Sequence, residues 1–373
     1  HKEYRRQRQM CIRDRFLIDT TRAGFVDLRV APATTPDALL VWTGGSGTWG
    51  AGGLQWEADG QPGWSGAWGQ QHAVFKGAAG LVSVSGTQTF KGLQFVSDGW
   101  QIGPLAGTGG ALQMAGDGSE LRVLAGVTAT VGAPIQGASV LDKTGGGTLV
   151  LDGVNGHTGG TRLSEGVLSV SQDASLGDGA SDLMFNGGTL RVTGQSFSQT
   201  ARNLQWSAQG GAFDIASASN RFTVGQALSG AGDLVKLGAG TLVLTGTNAY
   251  GNTRVEAGTL VGNTDSIRGN LQNNGFVVFD QASSGTFGGD ISGSGEATKT
   301  GAGVLTLSGR SVQNWRVTAG TLAASGGALS GNVDVGAAGA LHLDAPQSST
   351  YSGVLSGTGG LSKTGAGMLA LTG

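Results

Sequence analysis

The stretch KLGAGTLVLTG, from Lys236 to Gly246, decides how this chain folds. Leu242 and Leu244 are separated by one residue, so on an extended backbone both point to the same face. Gly238 and Gly240 ahead of them, and Gly246 behind, supply turns that other residues make only with strain. The stretch spells turn, short half-buried strand, turn. It recurs as KTGGGTLVLDG from Lys143, KTGAGVLTLSG from Lys299 and KTGAGMLALTG from Lys363. The other leucine pairs are then Leu149 and Leu151, Leu305 and Leu307, and Leu369 and Leu371. The other pairs of turn glycines are Gly145 and Gly147, Gly301 and Gly303, and Gly365 and Gly367. A unit this short cannot bury its apolar face alone, so the pattern predicts an all-β solenoid, a single elongated rod whose core holds these leucines.

Spacing supports stacking. The four lysines lie 93, 63 and 64 residues apart. A coil of roughly 20–22 residues makes the shorter intervals three coils, and one further coil gives the longer. A second strand phrase follows each of the first three copies: EGVLSV at Glu165, AGTLVG at Ala257 and AGTLAA at Ala319. Its glycine falls 23, 22 and 21 residues past the lysine, which stacks it one coil on, ~4.8 Å along the axis.

Composition agrees. Glycine is 72 of 373 residues, about 19 % against a usual ~7 %, yet the 6 prolines exclude collagen. Short alternating phrases such as LVSVSG from Leu81, GGTLRVTG from Gly187 and GFVVFD from Gly275 read as strands, and helical periodicity is nearly absent. Residues 1–25 differ: they hold seven Lys/Arg and three acids, and the chain's single Cys, Cys11. They are expected to be a non-native or unstructured basic leader. The remainder is mildly acidic with dispersed charge, which excludes nucleic acid as a partner. Residues 26–75 read as an entry segment, with Pro32 and Pro36 against helix, and a cap carrying Trp42, Trp49, Trp56, Trp64 and Trp68. Residues 76–373 are the repeats. No stretch nears the ~18 apolar residues of a spanning helix, and no signal peptide is visible.

The passage SGAGDLVKLGAGTLVLTGTNAYGNTRVEAGTL, from Ser229 to Leu260, resembles the passenger-associated repeat of autotransporter proteins, the type V secreted proteins of Gram-negative bacteria. Copies from Gln136, Ser292 and Ser356 fit the same frame. The first has NGHT at Asn155 where the second has NAYGNT, and the third has SVQNWR. WTGGSGTWG at Trp42 and GLQFVSDGW at Gly92 also resemble the start of such passengers. The resemblance covers roughly residues 41–373. It implies a right-handed parallel β-helix at the cell surface, outer membrane or secreted. It also implies a C-terminal outer-membrane β-barrel missing from this fragment, with repeats that assist export and folding. Its partner would be a host surface or another copy of the chain, in adhesion or self-association.

Chemistry-bearing motifs are weak. GSGTWG at Gly45 satisfies G-x-G-x-x-G but no helix follows, so no dinucleotide or other small-molecule cofactor is expected. Lys143, Lys299 and Lys363 each precede Thr, but Asp142, Thr298 and Ser362 stand where a phosphate loop needs glycine. NTD at Asn263 resembles one signature of β-helical polygalacturonases without its companions; an Asn-rich turn explains it as well. His157 is expected in a turn and His342, between Leu341 and Leu343, facing solvent; no ligand spacing for a metal appears. The expectation is a non-enzymatic passenger stalk, with a carbohydrate-active β-helix enzyme, a polysaccharide lyase or hydrolase, as the alternative.

Overall fold

The computed structural model describes residues 16–19, 27–30 and 39–373, apart from 51, 59–64, 67, 70 and 117. Cys11, Pro32, Pro36 and Trp64 lie outside the described residues. Among the described residues the one helical segment is a single 3-10 turn, Asp173–Leu176; all other regular structure is strand, almost all of it paired in parallel. The fold is thus an all-β parallel solenoid. A short antiparallel pair, Phe16–Asp19 with Asp27–Val30, precedes it. The chain divides into two compact units, one running to Leu168 and including Ala174–Ser181, the other Ser169–Asp173 with Asp182–Gly373.

In the first unit each coil contributes strands to three rows. One row runs through His72–Phe75, Gly92–Phe95, Ser119–Val123, Leu141–Thr144 and Thr161–Leu163. A second runs through Gly47–Trp49, Leu81–Val84, Gln101–Pro104, Thr128–Val131 and Thr148–Leu151. A short third row holds Thr87–Phe90, Ala111–Met114 and Ile135–Gln136. Alternation sends Phe75, Phe95, Leu121, Val123, Leu149 and Leu151 inward, each fully buried. Parallel neighbours need a crossover, and here the crossover is the rest of the coil.

The tryptophans start this unit. Leu39–Trp42 pairs in parallel with His72–Phe75 on one side and antiparallel with Trp56–Ala58 on the other. Trp56 packs its ring 5.1 Å from Trp42, 5.1 Å from Trp49 and 4.6 Å from Trp68. Trp42, Trp49 and Trp56 are at most 1 % exposed, and Phe75 stacks at 5.1 Å on Phe95. The buried rings of Trp42, Trp49 and Trp56 offer no open face for a sugar to stack on. They bury large apolar area, and edge-to-face pairs add about 0.5–1.5 kcal/mol each.

The second unit stacks more tightly. Leu242, Leu260, Val277 and Ala297 share one row, as do Leu307, Ala324, Leu343 and Lys363. These registers correct the expected coil. Three coils take 56 residues from Leu307 to Lys363, and the eight left over in the 64-residue interval are the step from Lys299 to Leu307 inside the phrase. Coils here run from 17 to 23 residues, and several fall below the expected 20–22. The phrases accordingly do not stack copy on copy: the leucine strand of one copy is continued, three coils later, by the lysine strand of the next. Thr241–Leu244 leads in this way to Glu296–Thr300, through Thr259–Gly262 and Phe276–Asp280. Within a copy the second phrase does stack on the first, Leu260 on Leu242 and Leu322 on Leu305.

Candidate functional site

The repeated phrase builds one local structure. Gly145, Gly238, Gly301 and Gly365 sit at φ between +71° and +77°, the left-handed region that a side chain resists. The partner glycine two residues on is held by space instead. A Cβ on Gly147 would lie 2.2 Å from the Leu124 carbonyl oxygen, and one on Gly240 would lie 2.4 Å from that of Ser217. The glycine of the second phrase, Gly258, is again left-handed, and its Cβ position lies 2.4 Å from the carbonyl oxygens of Gly238 and Gly240. Gly166 meets Gly145 and Gly147 in the same way, and Gly320 meets Gly301 and Gly303. Two glycine turns therefore stack backbone on backbone.

Such stacking leaves carbonyls turned inward, and the lysine that opens the phrase satisfies them. Lys143, Lys236 and Lys299 are 0 % exposed. Lys143 Nζ donates to the carbonyls of Thr144 at 2.8 Å, Gly145 at 2.7 Å and, one coil on, Glu165 at 3.1 Å. Lys236 Nζ donates to Leu237, Gly238 and Ala257 at 2.7, 2.8 and 3.0 Å. Lys299 Nζ donates to Thr300, Gly301 and Ala319 at 2.6, 2.7 and 3.1 Å. An ammonium has three donors, and each of these lysines uses all three. Burial pulls Lys143 and Lys236 down to about 8 from the usual 10.5, and lowers Lys299 as well; around Lys143, Glu165 and Asp142 act in the opposite sense. The first two remain largely protonated at neutral pH, so the bonds are charge-assisted, worth about 1.5–3 kcal/mol each.

Lys363 has the same first two acceptors, Thr364 at 3.2 Å and Gly365 at 2.8 Å, but no third, and it is exposed. Residue type alone does not mark these lysines as buried. The available signal was parity: Leu141 and Lys143, or Leu234 and Lys236, are two apart and so share the inward face.

A second clamp lies twelve residues past the lysine. Asn155 Oδ1 accepts the Ile135 N–H at 2.8 Å, and its Nδ2 donates to the Ser175 carbonyl at 2.6 Å, which ties a coil to the coils on both sides. Asn248 does the same between Leu228 and Ser266, at 2.8 Å each. Two residues on, His157 Nε2 lies 2.8 Å from Thr161 Oγ1, and Tyr250 OH 3.0 Å from Thr253 Oγ1. His157 is thus fully buried in its turn. In the third copy Ser311 and Gln313 take these places, and Gln313 Nε2 reaches back to the carbonyls of Ser292 and Gly293 at 3.1 and 2.7 Å.

The leucines fall into two groups. Leu149, Leu151, Leu242 and Leu305 are 0 % exposed, and Leu244 and Leu307 are at most 3 %. Leu369 is half-buried and Leu371 is 52 % exposed. His342 is half-buried, its ring nitrogens 2.9 Å from Ser362 Oγ and 3.1 Å from Thr364 Oγ1. Asn263 forms a local turn, its Oδ1 accepting the N–H groups of Asp265 and Ser266 at 2.9 and 3.0 Å. Among the described residues no group of three or more His, Cys, Asp or Glu is placed to hold a metal ion.

The passenger-associated-transport-repeat family model matches residues 141–170, 234–261 and 298–324, the spans of the three complete lysine clamps. Over 241 residues the chain is 37 % identical to the adhesin BmaC autotransporter of Brucella suis biovar 1 (strain 1330). That alignment covers 61 % of this chain and 7 % of the relative, so the chain spans a small part of the relative's length. No solved structure matches. The matched repeats and the stretch shared with the Brucella protein make this chain similar to an autotransporter passenger domain.

Proposed function

We propose that this region is a non-enzymatic stalk segment of a surface-exposed adhesin of a Gram-negative bacterium. Its repeats fasten each new coil as the chain folds outside the cell. The observation that supports this most is the third bond of each buried lysine: its acceptor, Glu165, Ala257 or Ala319, belongs to the next coil. A clamp is complete only once that coil has landed, and its closure stabilises the array locally, in the nearest-neighbour manner of solenoids. Folding that gains stability at each coil opposes backsliding through an outer-membrane pore. The pore would be a C-terminal β-barrel encoded elsewhere in the protein. In this scheme residues 26–75 act as entry and Trp-rich cap, residues 76–373 as the stalk, and residues 1–25 stand apart as a basic leader.

The test uses the full-length protein in its native cell. Lys143, Lys236 and Lys299 are replaced together by Met, and surface display is followed by protease accessibility on intact cells. The expected result is normal synthesis with strongly reduced display, and reduced adherence in proportion to display. Full display of the triple variant would overturn the export role. Full display of the unaltered protein without adherence to host cells or to other bacteria would overturn the adhesion role.

A further inference from the structure

The second unit carries a groove of about 460 Å³ that the repeat clamps do not use. Gly269 and Gly289, which line it, belong to a glycine column. A Cβ on Gly269 would lie 2.2 Å from the Gly251 carbonyl oxygen, one on Gly289 2.0 Å from that of Gly269, and one on Gly309 2.3 Å from that of Gly289. These coils meet backbone to backbone, and no side chain fills the space above them. Beside the column a ladder of side-chain carbonyls holds successive coils: Asn252 Oδ1 accepts Asn270 N–H at 3.0 Å, Asn270 Oδ1 accepts Asp290 N–H at 3.0 Å, and Asp290 Oδ1 accepts Arg310 N–H at 2.8 Å.

The polar groups left over at this groove are donors. Arg268 lines it and is fixed by one bond, Nη1 to the Thr264 carbonyl at 3.3 Å. Among the described residues no carboxylate pairs with Arg268, so Nε and Nη2 are unspent. Asn270 Nδ2 and the exposed Thr286 hydroxyl line the same groove and have no partner among the described residues. No carboxylate lines the groove; Asp290 stands next to Gly289 with one oxygen committed to the Arg310 N–H. The volume is within the usual ~300–1,000 Å³ of small-ligand clefts. A planar guanidinium with two free N–H groups matches a carboxylate or sulfate bidentately. The amide and hydroxyl are suited to sugar hydroxyls.

We propose that this groove binds an acidic saccharide, with Arg268 on its carboxylate or sulfate and with Asn270 and Thr286 on the ring hydroxyls. The site lies apart from the clamps, so it stands or falls independently of the export role. The whole chain is titrated calorimetrically with a tetragalacturonate, a heparin tetrasaccharide and the neutral maltotetraose. The first two arms separate carboxylate from sulfate as the group recognised. At least one anionic saccharide is expected to bind tenfold or more tighter than maltotetraose. Arg268→Gln should weaken that binding about tenfold, Arg268→Lys should weaken it less, and Arg310→Gln, outside the groove, should leave it unchanged. Equal affinity for maltotetraose, unaltered binding by a folded Arg268→Gln chain, an equal loss in Arg310→Gln, or no binding of either anion up to ~10 mM would each overturn the assignment.

Discussion

The second and fourth copies of the phrase are nearly the same sequence in two different situations. KLGAGTLVLTG is covered by a coil on each side; KTGAGMLALTG has a coil of this chain on one side only. Lys236 is fully buried with three carbonyl partners, while Lys363 is exposed with two. Leu244 is 2 % exposed and its counterpart Leu371 is 52 %. The turn itself is the same, with Gly238 at φ +74° and Gly365 at φ +77°. The turn is therefore local chemistry, written within a few residues, whereas the clamp and the core exist only between coils.

Truncating the leucines breaks the comparison most sharply. Leu242→Ala should cost about 2–5 kcal/mol, as for other fully buried leucines, and Leu371→Ala less than about 0.5 kcal/mol. Hydrogen exchange of the flanking strands, read coil by coil, measures both. Lys236→Met comes next. It leaves the Leu237, Gly238 and Ala257 carbonyls without their charged donor, at a cost of about 1.5–3 kcal/mol or more, while Lys363→Met should change little. Equal effects at the two lysines would show that the third acceptor contributes nothing. Gly240→Ala should then destabilise by about 1–3 kcal/mol, because its Cβ meets the Ser217 and Asn220 carbonyl oxygens and Ile215 Cγ2 at 2.4–2.8 Å. Asn220→Ala in the same background should not rescue it, since the blocking atoms at Ser217 and Asn220 are backbone.

The same clamps also set a dependence on pH. Lys143 and Lys236 titrate near 8 when folded and near 10.5 when unfolded. Below about 8 both states hold the proton and these groups contribute no slope. Between 8 and 10.5 the unfolded chain binds more protons, so stability rises with pH. Tyr250, pushed up to about 12 by burial, has the opposite sign, because above 10 the folded state keeps a proton the unfolded state loses. The urea midpoint of the repeat region should rise from pH 8 toward pH 10 and then flatten or fall, and the rise should shrink in Lys236→Met. A rise that persists unchanged in that variant would assign the dependence to other groups.

Legibility followed distance along the chain. Strand positions and glycine turns are readable because periodicity of two and paired glycines act within about ten residues, and the stacking of Leu260 on Leu242 because the second phrase recurs at about one coil's spacing. The coil length is only partly legible: coils of 20–22 residues occur beside shorter and longer ones, and the lysine interval contains a step across the phrase as well as whole coils. The lysine clamp was missed because a lysine is ordinarily solvated, and only carbonyls of its own turn and of a coil about twenty residues away make its burial stable. The Asn155 and Asn248 clamps are not legible for the same reason: both of their partners lie in other coils.

By itself, then, the sequence determined that short half-buried strands alternate with glycine turns and must pile up to bury their leucines. That follows from side-chain parity and from the backbone freedom of glycine, both local properties. Only the tertiary structure decided which coil covers which. It set each phrase one face away from the last, and it turned Lys143, Lys236 and Lys299 into buried clamps, because a hydrogen bond between coils depends on a partner brought near by the stack.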